Sequence, residues 1–274
     1  LQANTFDIVN TWFAIPSGIT GGWISTKHHV PHLLTVIGGD IYDPSKWYSP
    51  HRFPVSGAAV KWALRHADAH VAISSDIAQR TREYFAFEGK IEVRPLGIRE
   101  PVFARARREA LGLDPDKQYV VTVGRLVRRK DYPTLIRAIK ALGRDDVELL
   151  MIGDGPEQQN LRGLAESLGI ADSVRFLGFV SNEAKYQYLS VSDLFVLASL
   201  HEGFGVVYLE AMFCGAEDGV LASDEPWDLP RWAARHKAGF LELSRIYMAC
   251  YGRLTPHEAE TVWVTARERL RAEG

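Results

Sequence analysis

The sequence predicts an α/β protein with two parallel-sheet domains, because short β-branched apolar runs alternate with longer helical segments and this alternation restarts after residue 118. A chain of 274 residues that is 46% hydrophobic and 24% charged is typical of one large or two ordinary globular domains. We expect a first, partial domain over residues 1–112, a second over residues 113–224 and a tail over residues 225–274, with a cleft between the domains.

The first half of the chain shows a strand–helix rhythm. Apolar runs that end in turn residues predict strands within HLLTVIGGD (32–40), AHVAISSD (69–76) and KIEVRPLG (90–97). The segments between them predict helices over residues 56–67 and 75–87.

The second half repeats this rhythm after a connection over residues 109–118 that contains Gly, Asp and Pro. Strands are predicted over residues 119–126, 147–155, 174–180 and 194–199. Helices are predicted over residues 131–142, 156–169 and 181–192. Ser181 followed by Glu183 indicates the start of the last of these helices.

The tail lacks a predicted strand. Thr255, Pro256 and Glu258 have the spacing of a helix N-cap with a capping box. An apolar stripe follows, at Ala259, Val262, Trp263, Ala266 and Leu270. We expect a helical tail of unclear origin that packs by this stripe.

Charge and cysteine content exclude several classes of protein. Lys and Arg total 32 against 34 acids, so no overall positive field favours nucleic acid. Cys214 and Cys250 are too few for a disulfide framework, which favours a reducing, cytoplasmic location.

No apolar run reaches the roughly 18 residues that would cross a bilayer. Position 1 is Leu without a signal-peptide pattern, so we expect the gene product to begin upstream.

Two cations follow the first strand of the second half. VGRLVRRKD (123–131) places Arg125 just beyond the strand and Lys130 in the turn to the next helix. Ligands of open α/β sheets bind outside the carboxyl ends of the strands, so both cations should face the ligand. A guanidinium fork and a mobile ammonium together suit a diphosphate. The alternative is a solvated basic loop, since Arg128 and Arg129 are adjacent.

The segment GDGPE (153–157) carries two glycines between a strand and a helix. A dinucleotide-binding fingerprint would need a third small residue where the chain has Gln158. We interpret the segment as a tight strand-to-helix turn that lies beside the ligand.

Two carboxylates flank a glycine-bearing turn in SLHEGFGVVYLEAMFCG (199–215). If a helix begins near Gly205, its positive end faces the same cleft as the two cations, and Gly203 and Gly205 let a ligand approach the backbone. Glu202 and Glu210 only accept hydrogen bonds, so sugar and ribose hydroxyls are natural partners. Together with the cations they indicate a nucleotide-sugar site. The alternative is that both acids form ordinary ion pairs with nearby Arg or Lys.

These segments resemble those of a known family. The run from residue 121 to 215, with seven residues between Glu202 and Glu210, is similar to the retaining glycosyltransferase family 4 (glycosyl transferases group 1), whose members have the GT-B fold. Upstream, VPHLLTVIGGDIYDP, ADAHVAISSDIAQR and IEVRPLGIREPVF resemble the second half of that family's N-terminal domain. The resemblance implies two Rossmann-like domains, an acceptor-side one that is incomplete and a donor-side one.

The resemblance also implies roles for residues. Arg125 and Lys130 would hold the donor diphosphate, Glu210 the ribose and Glu202 a hydroxyl of the donor sugar, and Glu202, Arg125 and Lys130 would be the catalytic residues. No metal or other cofactor would be needed, because fixed cations and a helix terminus stabilise the leaving nucleoside diphosphate. The remaining donor-binding residues would be Gly124, Gly178, Phe179, Val180, Gly203, Phe204, Gly205 and Val206.

The chain departs from the family in three places. Relatives have about one hundred further N-terminal residues, including a glycine-rich loop, so the resemblance predicts a truncated first domain. Ile37 stands where many relatives have His, and His51 is interpreted as an ordinary loop residue. After Gly215 the sequence diverges, which predicts either a rearranged gene or a fragment joined to foreign sequence.

Other candidate sites are weaker. His66 and His70 lack the Glu of a zinc-protease motif and are interpreted as packing residues. Asp114 and Asp116 lie in the interdomain connection rather than after an apolar strand, as a metal site would require. Ser74 and Ser75 lack the context of a nucleophile elbow.

Three functions stay open. The favoured one is a retaining hexosyltransferase that uses a nucleotide-diphosphate sugar and no metal. Its rivals are a truncated non-catalytic nucleotide-sugar binding module or pseudoenzyme and, more weakly, a nucleotide-sugar epimerase. The acceptor is a saccharide, a lipid-linked molecule or a small molecule, and membrane contact is expected to be peripheral at most.

Overall fold

The computed structural model describes residues 6–43, 45–98 and 101–214. By their contacts these residues form two compact units. The first comprises residues up to Gly97 together with His201–Gly205. The second comprises residues from Ile98 to Leu200 together with those from Val206 onward. The predicted domain limits at residues 112 and 224 stay predictions, and the tail over residues 225–274 lies outside the described residues.

The first unit contains a four-stranded parallel sheet in the order β1-β2-β3-β4. Three helices belong to it, and a short π-helical turn (Ala14–Gly18) follows the first strand. The elements are β1 (Val9–Trp12), α1 (Ile19–His28), β2 (His32–Val36), α2 (Pro54–Arg65), β3 (Ala69–Ala72), α3 (Ser75–Phe85) and β4 (Glu92–Val93).

The core of the first unit explains two of its three predicted strands. Leu34 and Val36 of β2 and Ala72 of β3 are buried against Ile77 of α3 and Val60 of α2. β2 has parallel neighbours on both edges, and four of its five residues are buried, so it reads as a mostly apolar run.

The sequence did not predict β1 and α1. β1 is only four residues long, and α1 carries two adjacent glycines instead of an apolar stripe. A Cβ on Gly21 would collide with the side chains of Thr11 and His32, and one on Gly22 would press on Trp62 and His66. The glycines therefore let α1 pack closely in the first unit, which a periodicity argument does not detect.

The second unit contains a parallel sheet in the order β7-β6-β5-β8. Short 3-10 turns lie at Glu109–Leu111, Arg128–Lys130 and Ala171–Ser173. The elements are β5 (Gln118–Val123), α4 (Tyr132–Leu142), β6 (Val147–Ile152), α5 (Gln158–Ser167), β7 (Val174–Gly178), α6 (Asn182–Val191), β8 (Leu194–Phe195) and α7 (Val206–Cys214).

Every residue of β6 is buried, as its central position requires. Glu148 is tolerated there because its carboxylate pairs with Arg175 Nε at 2.6 Å and Lys117 Nζ at 3.7 Å. The apolar residues of α4 and α5 pack on one face of the sheet, and those of α6 and α7 pack on the other.

The predicted parallel-sheet fold is confirmed, and the element limits differ by a few residues. α5 begins at Gln158 rather than at residue 156, because Pro156 and Glu157 still belong to the turn after β6. The predicted start of α6 is confirmed, since the Ser181 side chain accepts a hydrogen bond from the amide of Ala184.

Candidate functional site

Three glycine turns meet at the carboxyl ends of β5, β6 and β7. The amide of Gly124 donates to Ile152 at 2.9 Å, and the amide of Gly153 donates to Gly178 at 2.8 Å. Gly153 has a φ of +130°, and a Cβ there would overlap the carbonyl oxygen of Gly124. Glycine is therefore required where the strand ends touch, and the GDGPE segment is the tight turn that the sequence predicted.

The order of strands in this sheet reverses between β5 and β8. At such a position the chain segments that follow neighbouring strands diverge, and the carboxyl ends of the strands leave a crevice for ligands. The segment after β8 is tied to the turn after β5, because the amide of Leu200 donates to the carbonyl of Arg129 at 2.8 Å. The predicted cations therefore follow β5 at the point of reversal.

The cations after β5 differ in their surroundings. Arg128 is 81% exposed and lies 3.5 Å from Glu157, as expected of a solvated basic loop. Lys130 is only 8% exposed. A Cβ placed on Gly124 would lie 3.7 Å from Lys130 Nζ, so the ammonium group is beside the end of β5. Arg125 is exposed, and within the described part of the chain no hydrogen bond or ion pair of its side chain is found.

The turn after β7 is open. Gly178 has a φ of +67°, and a Cβ there would meet no atom within 4 Å. Phe179 is 89% exposed and Val180 is half-buried. An exposed apolar ring and open space beside Gly178 thus lie at this end of the sheet.

Glu210 is held in the second unit by a side-chain ion pair. It lies in α7, where Oε1 accepts hydrogen bonds from Lys185 Nζ at 2.7 Å and from Tyr186 Oη at 3.3 Å. Both side chains of the Lys185–Glu210 pair are mostly buried. Within the described residues, no hydrogen bond is found for Oε2. Glu210 is therefore an ion-pair partner, as the alternative interpretation states, and it also keeps an oxygen that can accept.

Glu210 affects the thiol one helical turn away. Burial, followed by the negative charge of Glu210, raises the pKa of Cys214 to about 11. Cys214 is buried and packs in the core between the sheet and α7. It is a packing residue whose ionisation is opposed by its surroundings.

Glu202 belongs to a different set of contacts. The segment His201–Gly205 groups with the first unit, although the residues on either side of it belong to the second. A Cβ on Gly203 would overlap the carbonyl oxygen of Ile37 and approach Ile73. Glu202, Gly203, Phe204, Gly205 and Val206 are all half-buried, and Gly205 has a φ of +73° just before α7. The predicted start of this helix near Gly205 is confirmed.

The turn that receives Gly203 is shaped by Asp40. Its Oδ1 accepts hydrogen bonds from the amides of Ile37 at 3.2 Å and Gly38 at 2.9 Å, and its Oδ2 accepts from Ala14 at 2.6 Å. Burial raises the pKa of Asp40, and the amide hydrogen bonds oppose this shift without cancelling it. Asp40 is thus a buried carboxyl that fixes backbone geometry.

The structure gives ordinary roles to the discarded candidates. His66 and His70 bond to the backbone carbonyls of Trp62 at 2.8 Å and Leu64 at 2.7 Å, which confirms the packing interpretation. The Ser74 hydroxyl accepts from the amide of Ile77 and caps α3. The Asp114 carboxylate accepts from the amide of Asp116 at 2.9 Å in a turn.

The predicted donor residues are thus divided between the units. Gly124, Arg125, Lys130, Gly178 and Glu210 lie in the second unit, with Phe179, Val180 and Val206, while Glu202 to Gly205 group with the first.

Sequence reasoning missed Lys185, Tyr186 and His201. Lys185 lies 25 residues before Glu210, and no local pattern connects them. His201 is 4% exposed although the residues around it indicate a loop.

No helix in residues 6–43, 45–98 and 101–214 is long and apolar enough to cross a membrane.

Comparisons with known proteins agree with this architecture. The family model Glycosyltransferase Family 4 matches residues 1–100, and the model Glycosyl transferases group 1 matches residues 104–226. A lipopolysaccharide core biosynthesis glycosyltransferase of Rhizobium meliloti (strain 1021) is 36% identical over 171 residues, which are 62% of this chain and 47% of the relative. The chain spans about half the length of the curated relatives it matches.

Two solved structures show the same fold. Sucrose-phosphate synthase from Thermosynechococcus elongatus has a TM-score of 0.68 at 22% identity, covering 97% of this chain and 69% of that one. Anabaena HepE, solved in complex with UDP, has a TM-score of 0.66 at 19% identity, covering 97% of this chain and 79% of that one. With two parallel sheets and both family models matched, the chain belongs to the glycosyltransferases that these two models describe, which have the GT-B fold.

Proposed function

We propose that the protein moves a hexosyl group from a nucleotide-diphosphate sugar to an acceptor hydroxyl, with retention of configuration and without a metal. The observation that carries this proposal is the edge of the second sheet, where a mostly buried Lys130 and an exposed Arg125 lie at glycine turns beside the point of strand reversal. Such an edge suits a polyanion that approaches the backbone closely.

The donor diphosphate binds Arg125 and Lys130 in this proposal. The bond between the anomeric carbon and the diphosphate oxygen breaks as the acceptor oxygen bonds to that carbon on the same face, and the proton of the acceptor hydroxyl passes to the departing diphosphate oxygen. Negative charge accumulates on the departing nucleoside diphosphate, and the two side chains stabilise it together with the amino end of α7. Positively charged side chains can supply this stabilisation in place of a metal ion, so the proposal includes no metal.

In this proposal the two glutamates bind different parts of the donor. Glu210 accepts hydrogen bonds from ribose hydroxyls through Oε2, the oxygen that Lys185 does not bond. Glu202 accepts from a hydroxyl of the sugar, while the amides of Gly203, Phe204 and Gly205 approach the sugar and phosphate. The turn Gly178–Val180, with Gly124 and Val206, completes the donor-binding set. A UDP complex of the structural neighbour HepE supports a uridine nucleotide as the first one to test.

The proposed acceptor class comes from a relative of the chain. The lipopolysaccharide core biosynthesis relative supports a saccharide or lipid-linked acceptor. The formal net charge of −2 gives no reason to expect nucleic acid as a partner. Membrane contact, if the acceptor is lipid-linked, is peripheral.

A non-catalytic nucleotide-sugar binding module is the second candidate. This candidate is favoured by Ile37, which stands where many members of the glycosyltransferase family have His. Such a module would keep the donor contacts of both glutamates and lack turnover.

Binding titrations test the donor assignment. Glu210→Ala should weaken both the free nucleoside diphosphate and the nucleotide sugar, because ribose is common to both. Glu202→Ala should weaken only the nucleotide sugar. Each loss should be about tenfold to a hundredfold, corresponding to about 1.5 to 3 kcal/mol for a hydrogen bond to a charged group. Calorimetry with UDP, GDP and ADP first identifies the nucleotide that binds. That nucleotide and its glucose conjugate are then titrated against both variants, which gives the four combinations.

Two results would contradict the proposal. Equal losses for both ligands in both variants, with a lower melting temperature, would make the glutamates structural ion pairs. Binding that appears in magnesium and disappears in EDTA would make the site metal-dependent. Release of free sugar or transfer to an added acceptor separates the enzyme from the binding module.

A further inference from the structure

His201 is a mostly buried, polar residue next to a half-buried carboxylate. Its ring is only 4% exposed, whereas Glu202 is half-buried. Polar rings are buried where they are held by specific neighbours. The neighbours of His201 therefore show what fixes the start of the segment that carries Glu202.

Those neighbours are Tyr42 and Asp76 of the first unit, and Arg80 connects the two. The His201 ring meets Tyr42 edge-on, with centroids 4.9 Å apart. Its Nδ1 lies 4.0 Å from Asp76 Oδ2. Arg80 Nε donates to both oxygens of Asp76 at 2.8 and 2.9 Å, and the Arg80 guanidinium lies 4.3 Å from the centre of the Tyr42 ring. We call these four residues the His201 cluster.

Each member of the His201 cluster contacts at least two of the others. Asp76 and Arg80 lie one turn apart in α3, so their spacing is fixed by the helix. Tyr42 also stacks on Tyr84 of the same helix, with centroids 5.6 Å apart. His201 thus packs into a preformed arrangement of aromatic and charged groups.

Gly203 anchors the other side of Glu202. A Cβ on Gly203 would overlap the carbonyl oxygen of Ile37, and a Cβ on Gly38 would lie close to the Cα of Gly203. The Ile37–Gly38 turn is itself held by Asp40. Glu202 therefore stands between two residues that are each fixed to the first unit, while its own neighbours in sequence beyond Gly205 belong to the second.

We propose that His201 is a positioning residue, which holds the Glu202 segment on the first unit so that the carboxylate is presented in one place. A glycine-bearing segment has many accessible conformations, and an anchor on each side of Glu202 removes most of them. The consequence for sugar binding rests on the function proposed above, whereas the anchoring itself does not.

Hydrogen exchange measured on the free protein tests the anchoring. His201→Ala removes both the ring contact and the group near Asp76, and it should speed exchange of the amides at residues 202–205 by about tenfold or more. His201→Phe keeps a ring against Tyr42 and should restore part of the protection. His32→Ala is the matched control, since His32 is another buried histidine of the first unit, bonded to Thr11 at 2.7 Å.

The control separates positioning from packing. His32→Ala should lower the melting temperature without a selective rise in exchange at residues 202–205. If His201→Ala leaves exchange of these amides unchanged, or raises it only as much as in the rest of the unit, the inference is wrong.

Ligand titrations then connect the anchor to the sugar. His201→Ala should weaken UDP-glucose about tenfold relative to UDP, because a displaced carboxylate misses the sugar hydroxyl. An unchanged ratio of the two affinities, in a variant whose exchange has risen, would show that the segment does not contact the sugar. If the unmodified protein binds neither ligand, the proposed function fails, and the exchange result still decides whether His201 positions the segment.

Discussion

Glu202 and Glu210 are separated by seven residues, yet the structure holds them by different means. The segment of Glu202 is fixed to the first unit by a backbone-to-backbone approach at Gly203 and by the His201 cluster. Glu210 is fixed in the second unit by one ion pair with Lys185 and one hydrogen bond from Tyr186. One carboxylate is placed by the shape of the backbone and the other by charge.

This difference predicts different responses to substitution. A side chain added where two backbone segments touch forces them apart, so changes near Glu202 should act through displacement. An ion pair responds to the loss of a charge, so changes near Glu210 should act through the orientation and solvation of one carboxylate. The two regions should therefore separate in experiments that change either shape or charge.

The largest expected effect is that of Gly203→Ala. The added methyl group would overlap the carbonyl oxygen of Ile37, so the Glu202 segment must move. We expect a loss of about 1 to 3 kcal/mol in the free energy of unfolding. We also expect nucleotide-sugar affinity to fall about a hundredfold, with free-nucleotide affinity retained. Urea denaturation and calorimetry measure the two quantities.

Gly163→Ala is the control for this prediction. Gly163 lies within α5, and a Cβ there would meet no atom within 4 Å. This variant should be neutral or up to about 1 kcal/mol more stable, because alanine is the better helix former. Normal nucleotide-sugar binding by Gly203→Ala would show that the position of the segment does not matter for the ligand.

A smaller effect on affinity is expected from Lys185→Met, which removes charge and preserves much of the side-chain volume. Glu210 keeps only the hydrogen bond from Tyr186, and a mostly buried carboxylate loses its counter-ion. We expect a loss of about 1 to 3 kcal/mol in unfolding free energy. Affinities for nucleotide and nucleotide sugar should both fall about three- to tenfold with an unchanged ratio, because only the ribose contact is disturbed.

Two variants sharpen this second prediction. Lys140→Met removes an exposed lysine of α4 and should change neither stability nor affinity. Lys185→Met combined with Glu210→Gln should recover part of the lost stability, because no buried charge is left unpaired. A change in the ratio of the two affinities in Lys185→Met would place Lys185 at the sugar instead of behind the ribose contact.

The two regions also differ in how well the sequence predicts them. β5, β6 and the start of α7 could be predicted, because apolar runs and glycine turns are local signals. The likeness of the chain to a known family could be read from residues 121–215 for the same reason: its motif is contiguous. β1 and α1 could not be predicted, since α1 packs through glycines rather than through an apolar stripe.

Contacts between distant residues were beyond the reach of local patterns. Lys185 and Glu210 meet because α6 and α7 pack on the same face of the sheet. His201–Gly205 groups with the first unit, where its neighbours Ile37, Tyr42 and Asp76 lie more than one hundred residues earlier in the chain. The sequence singled out Glu202 and Glu210, whose functional roles stay predictions, and it did not predict what holds them.

The smallest expected effect uses Cys214 as a reporter of charge at Glu210. The raised pKa of this thiol, about 11, means that the unfolded chain loses the proton first, near its ordinary value of about 8.5. The stability that the buried thiol contributes is therefore fully present below about pH 8.5 and is lost as the pH rises toward about 11. Relative to Cys214→Ala, the unmodified protein should lose on the order of 1 kcal/mol between pH 8 and pH 10.

Glutamine substitutions connect this loss to one glutamate only. Glu210→Gln removes a charge that raises the pKa of Cys214, so the thiol ionises more readily in the folded protein and the pH-dependent loss should become smaller. Glu202→Gln should leave it unchanged, since Glu202 is not among the groups that shift this pKa. Urea denaturation at pH 8 and pH 10 measures these losses in the unmodified protein, Glu210→Gln and Glu202→Gln, each with and without Cys214→Ala. The titration of Lys and Tyr cancels in the difference between each protein and its Cys214→Ala counterpart. An equal response to both substitutions would mean that the two carboxylates share one electrostatic environment, and the division between a glutamate placed by shape and a glutamate placed by charge would not hold.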